Sequence, residues 1–195
     1  MNSDFNSISQ IIKKRRTVKP DRMNGNLIED EVIQELVALA DWAPTHAKTE
    51  PWRFVVYGPQ QAKSFALTHA DMYKTFTGEA AFTQQKYNNL LNLGNGVSHI
   101  IIVWMKRIPN HKIPESEEIA ATACAIQNIL LGATEKGIVC FWSTGGMAYH
   151  AAFSAMLNLG EEDKVVGILY MGYTDEPWPA GSRMIPLDEK IEWVK

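Results

Sequence analysis

A chain of 195 residues, 46% of them hydrophobic, is long enough to bury one sizeable core, and no shift in composition divides it, so residues 1–195 are read as a single domain. The formal net charge of -3, with Lys and Arg dispersed except at Lys13 to Arg16, excludes a global electrostatic drive toward nucleic acid or an anionic membrane. The start MNSDFNSIS lacks the basic and apolar regions of a signal peptide, and no apolar run is long enough to span a bilayer, so a cytoplasmic protein is expected.

Phe5, Ile8, Ile11 and Ile12 recur at helical spacing, which predicts a first helix that delivers Arg15, Arg16 and Thr17 at its C-terminal end. Asn24-Gly25-Asn26 marks a turn, and Asn26 with Glu29 forms a capping-box pattern opening a second helix with core stripe Ile28, Val32, Leu36 and Leu39. That helix must stop near Ala43-Pro44, because proline disfavours the helical conformation in the residue before it. After a loop from Thr45 to Pro51, Trp52 to Tyr57 alternates like a strand, and Pro59 suits the first turn of another helix. Residues Gln60 to Leu93 read as one or two helices broken near Gly78.

The apolar run Ile100 to Met105, after Gly94-Asn95-Gly96, predicts a buried strand. Pro114 to Lys136 is the clearest helix, its stripe of Ile119, Ala123, Ile126, Leu130 and Ala133 framed by Ala121, Ala125 and Gly132, small residues that admit a close neighbouring helix. Gly137 suits a C-cap. A strand from Ile138 to Trp142, a turn at Ser143-Thr144-Gly145-Gly146, a helix to Leu159 and a strand from Val165 to Tyr173 complete the body. Thr174 to Pro186 should run extended, and Ile191 to Val194 could add an edge strand. Helices interrupting strands without a glycine fingerprint between strand and helix favour α+β over a doubly wound nucleotide fold.

Standard chemistries find little support. Gly94-Asn95-Gly96 precedes a strand instead of opening a helix, so it fails as a dinucleotide fingerprint, and no P-loop occurs. His46, His69, His99, His111 and His150 show no metal-ligand spacing, and Ser143 sits in no G-x-S-x-G elbow. Cys124 and Cys140, far apart and outside any C-x-x-C pair, read as reduced, buried small hydrophobes.

Four separated stretches remain. Arg15-Arg16-Thr17-Val18-Lys19 places two guanidinium groups and a hydroxyl at a helix end, a set that can hold a phosphate, although a solvated basic end suiting the helix dipole is the commoner meaning. The loop Ala43-Pro44-Thr45-His46 to Pro51-Trp52 offers polar groups at fixed geometry for an aromatic cofactor, or else joins helix to strand with Trp52 in the core. In Gly137 to Gly146, a strand feeds a turn whose glycines let backbone N–H groups approach an electron-rich ligand; a structural turn would look the same. Gly172-Tyr173 leads to a tail in which Arg183 can reach a phosphate.

In this order and at these separations the four stretches resemble the nitroreductase family over nearly the whole chain. Arg15-Arg16-Thr17 is similar to the family's R-R-S, with Thr for Ser, and the closest resemblance is to a small subgroup with an Ala-Pro-x-His loop and a W-x-T-G turn. Val165 to Tyr173, after Leu159-Gly160, resembles the family's last core strand. The resemblance implies an α+β sandwich with a mainly antiparallel sheet flanked by helices. It also implies a homodimer that exchanges C-terminal segments and holds one FMN in each of two interface sites.

Carried over, Arg15, Arg16 and Thr17 would bind the phosphate and ribityl chain, joined by Arg183. Pro44, Thr45 and His46 would come from the other subunit beside the ring; Trp142, Ser143, Thr144, Gly145 and Gly146 would line the ring or its N5 edge, and Lys19 its O2 side. Glu50 stands where the family commonly carries Gln or Asn, and Gln84 to Gly96 holds no counterpart of the Asn and Lys that larger members place at the ring. The implied activity is a ping-pong transfer from NADH or NADPH through flavin N5 to a nitroaromatic, quinone or similar acceptor, with His46 a candidate proton donor and no metal. A flavin enzyme acting on a specific non-nitro substrate and a non-catalytic ligand-binding protein remain the alternatives.

Overall fold

Four segments pair into one sheet: β1 (Trp52–Tyr57), β2 (His99–Met105), β3 (Val139–Ser143) and β4 (Lys164–Gly172), in spatial order β1-β2-β4-β3 with every neighbouring pair antiparallel. The structure is a computed structural model describing residues 3–108 and 112–195, with side chains from Ser7 onward. The expected positions of the Phe5 side chain and of His111 lie outside the described residues. The helices are α1 (Ser3–Lys14), α2 (Asp30–Ala40), α3 (Pro59–Phe76), α4 (Gln84–Asn92), α5 (Glu115–Glu135) and α6 (Ala151–Met156). This is the expected α+β fold.

β2 shows why an unbroken apolar run was required. Ile100 and Ile102 face one core while Ile101, Val103 and Met105 face another, and all five are fully buried. On the first side, α3, α4 and α6 supply Phe65, Leu90 and Phe153; on the other, α2 and α5 supply Ile33, Leu36, Ala125, Ile126, Ile129 and Ala133. Gly132 lets α2 sit close on α5, since a Cβ there would stand 2.5 Å from Leu39 Cδ1 and 2.9 Å from Leu36 Cδ2. Gly137, with φ +74°, ends α5 in the left-handed conformation that glycine tolerates.

Several expectations fail for identifiable reasons. No capping box opens α2: Asn26 N–H bonds to Asn24 Oδ1 (3.0 Å) and Ile28 N–H to Ser98 Oγ (2.7 Å), which pins the segment along the start of β2 and delays the helix to Asp30. Leu39 is half exposed, and Ala40 takes its place in the core. The helix predicted from Ile8, Ile11 and Ile12 forms as α1, with Ile8 and Ile12 about half in solvent (52% and 51%). Cys124 is exposed, since α5 turns Ala121 and Ala125 inward and Cys124 outward; Cys140 is buried as expected. Residues 191–195 form no strand, and the tail carries only a short turn at Asp188–Lys190.

Candidate functional site

The first and third stretches meet at the β3 edge of the sheet. Leaving α1, the chain forms a parallel bridge from Thr17 to Cys140, and Val18 N–H bonds to Cys140 C=O at 3.1 Å. Because the two segments run in the same direction, Lys19 is advanced toward Trp142 and the turn beyond β3. The Arg15 guanidinium, the Thr17 hydroxyl and the Lys19 ammonium donate no hydrogen bond among the described residues. Burial pushes the Cys140 thiol up to about 12, an effect that the Arg15 charge offsets only in part, so no thiolate is available there.

Arg16 is differently engaged. Its Nη1 donates to the carbonyls of Lys13 (2.6 Å) and Arg15 (2.7 Å), covering the open end of α1, and its Nε donates to Pro179 C=O at 2.9 Å. The guanidinium lies against Gly181, where any Cβ would collide with it. The tail is fastened nearby by an Arg22–Glu176 ion pair, by Asn24 Nδ2 donating to Asp175 Oδ1 (2.9 Å) and by Lys14 Nζ 5.0 Å over the Trp178 ring. Arg183 follows two residues after Gly181, exposed and bonded only to Ser182 C=O among the described residues. The fourth stretch therefore joins the first.

The turn after β3 has an ordered set of amides. Gly145 N–H donates to Ser143 Oγ (3.2 Å) and Met147 N–H to His69 Nε2 (2.8 Å), whereas those of Thr144 and Gly146 donate to nothing among the described residues. Thr144, Gly145 and Gly146 are exposed, and Gly146 has φ +67°. Free N–H groups at alternate positions, the second on a left-handed glycine, offer donors suited to an electron-rich group. Trp142, expected at a ligand ring, is half-buried: its Nε1 donates to Val166 C=O at 3.1 Å and its ring covers Gly167, which leaves no room for a Cβ.

The second stretch lies elsewhere in the chain. It precedes β1 at the opposite edge of the sheet, three strand spacings or roughly 14 Å from β3. His46 Nδ1 meets Glu117 Oε2 at 2.7 Å in the first turn of α5, Thr45 Oγ1 meets Thr49 Oγ1 at 2.8 Å, and Pro44 is exposed. Ala47, Lys48 and Glu50 all have positive φ (51°, 54° and 42°), a strained conformation for residues with a Cβ. Glu50 N–H is taken by Thr45 Oγ1 at 3.2 Å. Trp52 is in the core, its Nε1 donating to Asp41 Oδ1 at 3.0 Å. Beside this loop a groove of about 860 Å³ runs between α2 and the open edge of β1, lined by Asp30, Asp41, Glu50, Arg53, Val56 and His99.

Three buried polar arrangements escaped the sequence reading. His69 interrupts the apolar face of α3 between Phe65 and Tyr73, and that interruption was its available signal. Asp30, His99 and Ser98 form a chain of 2.9 Å hydrogen bonds through both imidazole nitrogens. It resembles a hydrolase relay, but Ser98 is fully buried and its oxygen already accepts Ile28 N–H, so it is a structural clamp and not a nucleophile. Arg107 pairs with buried Glu118 and also donates to Ile113 C=O. Among the described residues no helix is long and apolar enough to cross a membrane, and no three His, Cys, Asp or Glu side chains group to hold a metal ion.

The profile of the nitroreductase family matches residues 12–173. YfhC of Bacillus subtilis (strain 168), provisionally named an NAD(P)H nitroreductase, is 27% identical, covering 94% of this chain and 92% of its own. The crystal structure of a nitroreductase-like family protein from Bacillus cereus is 29% identical, covers 96% of both chains and superposes with a TM-score of 0.78. A Bacteroides fragilis nitroreductase crystallised with bound FMN covers both chains completely at 18% identity and a TM-score of 0.70, which shows a shared fold. With its profile match spanning most of the chain, this protein belongs to the nitroreductase family.

Proposed function

We propose that the chain is an FMN-dependent oxidoreductase that takes electrons from NADH or NADPH and passes them to a small oxidised acceptor. The observation that carries this reading is the row of unengaged donors along one sheet edge: Arg15, Thr17 and Lys19 beside β3, then the amides of Thr144 and Gly146 just beyond it. Cationic and hydroxyl donors fit a phosphate with its polyol chain, and paired backbone amides fit an electron-rich ring edge. The family membership and the FMN-bound relatives of the same fold point the same way.

Bound FMN would supply the redox chemistry, hydride uptake from the nicotinamide and electron transfer to a quinone, nitroaromatic or similar acceptor in a ping-pong cycle. The chain's own part is position and charge. Arg15 and Thr17 grip the phosphate end, and Arg16 anchors the tail so that Arg183 stays within reach of it. Lys19 would stand at the ring's O2 side, where its positive charge would favour electron-rich states, and Ser143 holds the amide of Gly145 between the free amides of Thr144 and Gly146.

A homodimer completes this site. The loop of Pro44, Thr45 and His46 lies at the edge of the sheet opposite β3, and a second copy would bring such a loop across the interface. Half-exposed Ile8 and Ile12, Trp42 at 86% exposure, and tail residues Trp193 and Val194 at 79% and 91% support that arrangement, since a monomer seldom leaves so much apolar surface in water. The unpaired edge of β1 beside the groove suits an exchanged C-terminal segment. Glu117 holds His46 Nδ1, which leaves Nε2 free to face an acceptor. FMN titration of the apoprotein tests the site: Arg15→Ala should weaken binding roughly 10- to 100-fold. A wild-type chain that binds no FMN would overturn the reading.

A further inference from the structure

His69 lies beneath the turn that carries the proposed flavin-facing amides, 2% exposed on α3. Its Nε2 accepts the Met147 N–H at 2.8 Å, so the neutral ring carries its proton on Nδ1. That Nδ1 has no partner among the described residues and is buried between Phe65 and Phe153, with ring centroids 5.8 and 5.4 Å away. A leucine or phenylalanine would suit this apolar setting without orphaning a donor. The one polar contact the imidazole makes among the described residues is to the turn.

The turn in turn is shaped to the ring. A Cβ on Gly146 would stand 2.6 Å from His69 Nε2, 2.7 Å from its Cε1 and 2.8 Å from Leu90 Cδ2. Along residues 144–147 the amides alternate: Thr144 free, Gly145 held by Ser143, Gly146 free, Met147 held by His69. The two held groups fix the peptide planes on either side of the Gly146 amide. Burial keeps the imidazole down at about 4, so Nε2 retains its lone pair throughout the neutral range.

We propose that His69 is a positioning residue for the flavin site: by accepting the Met147 N–H from below, it aims the amides of Thr144 and Gly146 outward as a preset pair of donors. This rests on the proposed FMN function. What matters is an acceptor at the Nε2 position, so side chains of similar polarity should differ by reach. The Gln Oε1 can occupy that position, whereas the Asn Oδ1 stops near the Nδ1 position.

The test uses the full-length chain with His69→Gln, His69→Asn and His69→Leu. Three readouts apply: amide hydrogen exchange at Gly146 and Met147 in the apoprotein, the FMN dissociation constant, and the midpoint potential of bound flavin. His69→Gln should stay within about threefold of wild type in exchange and affinity. His69→Asn and His69→Leu should each raise Met147 exchange and weaken FMN binding by about tenfold or more, and shift the potential negative, because the electron-rich reduced ring loses aligned donors. If His69→Leu does not fold, the Gln and Asn pair still decides. Equal FMN binding and potential in Gln and Asn variants would overturn the inference while leaving the FMN function intact. Failure of wild type to bind FMN would instead defeat the function, and Met147 exchange in the apoprotein would still report whether His69 holds the turn.

Discussion

Acid should destabilise this protein through His69 in a way that one substitution removes. The folded chain holds its imidazole at about 4, against an ordinary value of 6.5, because burial penalises the charged form. As pH falls, the unfolded chain therefore binds the proton first. The stability associated with a neutral His69 is full above 6.5 and is lost progressively toward pH 4. Integrated from about pH 7.5 to about pH 5, these values give a loss of about 2 kcal/mol. At a urea slope of roughly 2 kcal/mol per molar, the unfolding midpoint should drop by about 1 M. Urea unfolding of the apoprotein by tryptophan fluorescence, at fixed chain concentration, measures it. His69→Gln has nothing to titrate there, so its midpoint should fall by about 1 M less over the same interval. Parallel acid slopes in the two proteins would refute the reasoning.

The glycines permit a paired comparison. Gly137 and Gly146 share positive φ, but a Cβ at Gly137 meets nothing within 4 Å while one at Gly146 strikes His69 and Leu90. Gly137→Ala should cost about 1 kcal/mol and Gly146→Ala about 2 to 4 kcal/mol in thermal unfolding, the excess being overpacking. Glu118→Ala removes the buried carboxylate that pairs with Arg107, whose own side chain is 17% exposed, and should cost about 3 kcal/mol, or roughly 10 °C by calorimetry.

The sheet and most helices were legible because their signals are local. The apolar run at Ile100 to Met105, the small residues of α5 and the glycine at its end each meant what their chemistry suggests. Asn26 misled because Ser98, a distant residue, captured the amide of Ile28 and moved the helix start to Asp30. Cys124 misled because a small apolar side chain in a helix does not reveal by itself which face it lies on. In the site, the proximity of Arg15 and Thr17 to the turn after β3 depends on a bridge between residues 17 and 140, which no sequence period encodes. The bond from the Trp142 indole to Val166 C=O joins residues 24 positions apart, and the W-x-T-G motif does not reveal it. His69 was visible as a polar residue on an apolar face, yet its partner at Met147 was not.

Anaerobic addition of NADH, and separately NADPH, to the FMN-loaded protein tests the central claim most directly. At least one nucleotide should bleach the visible flavin absorbance within seconds, and a quinone or nitroaromatic added afterward should restore it. A flavin that stays oxidised with both nucleotides would contradict the account.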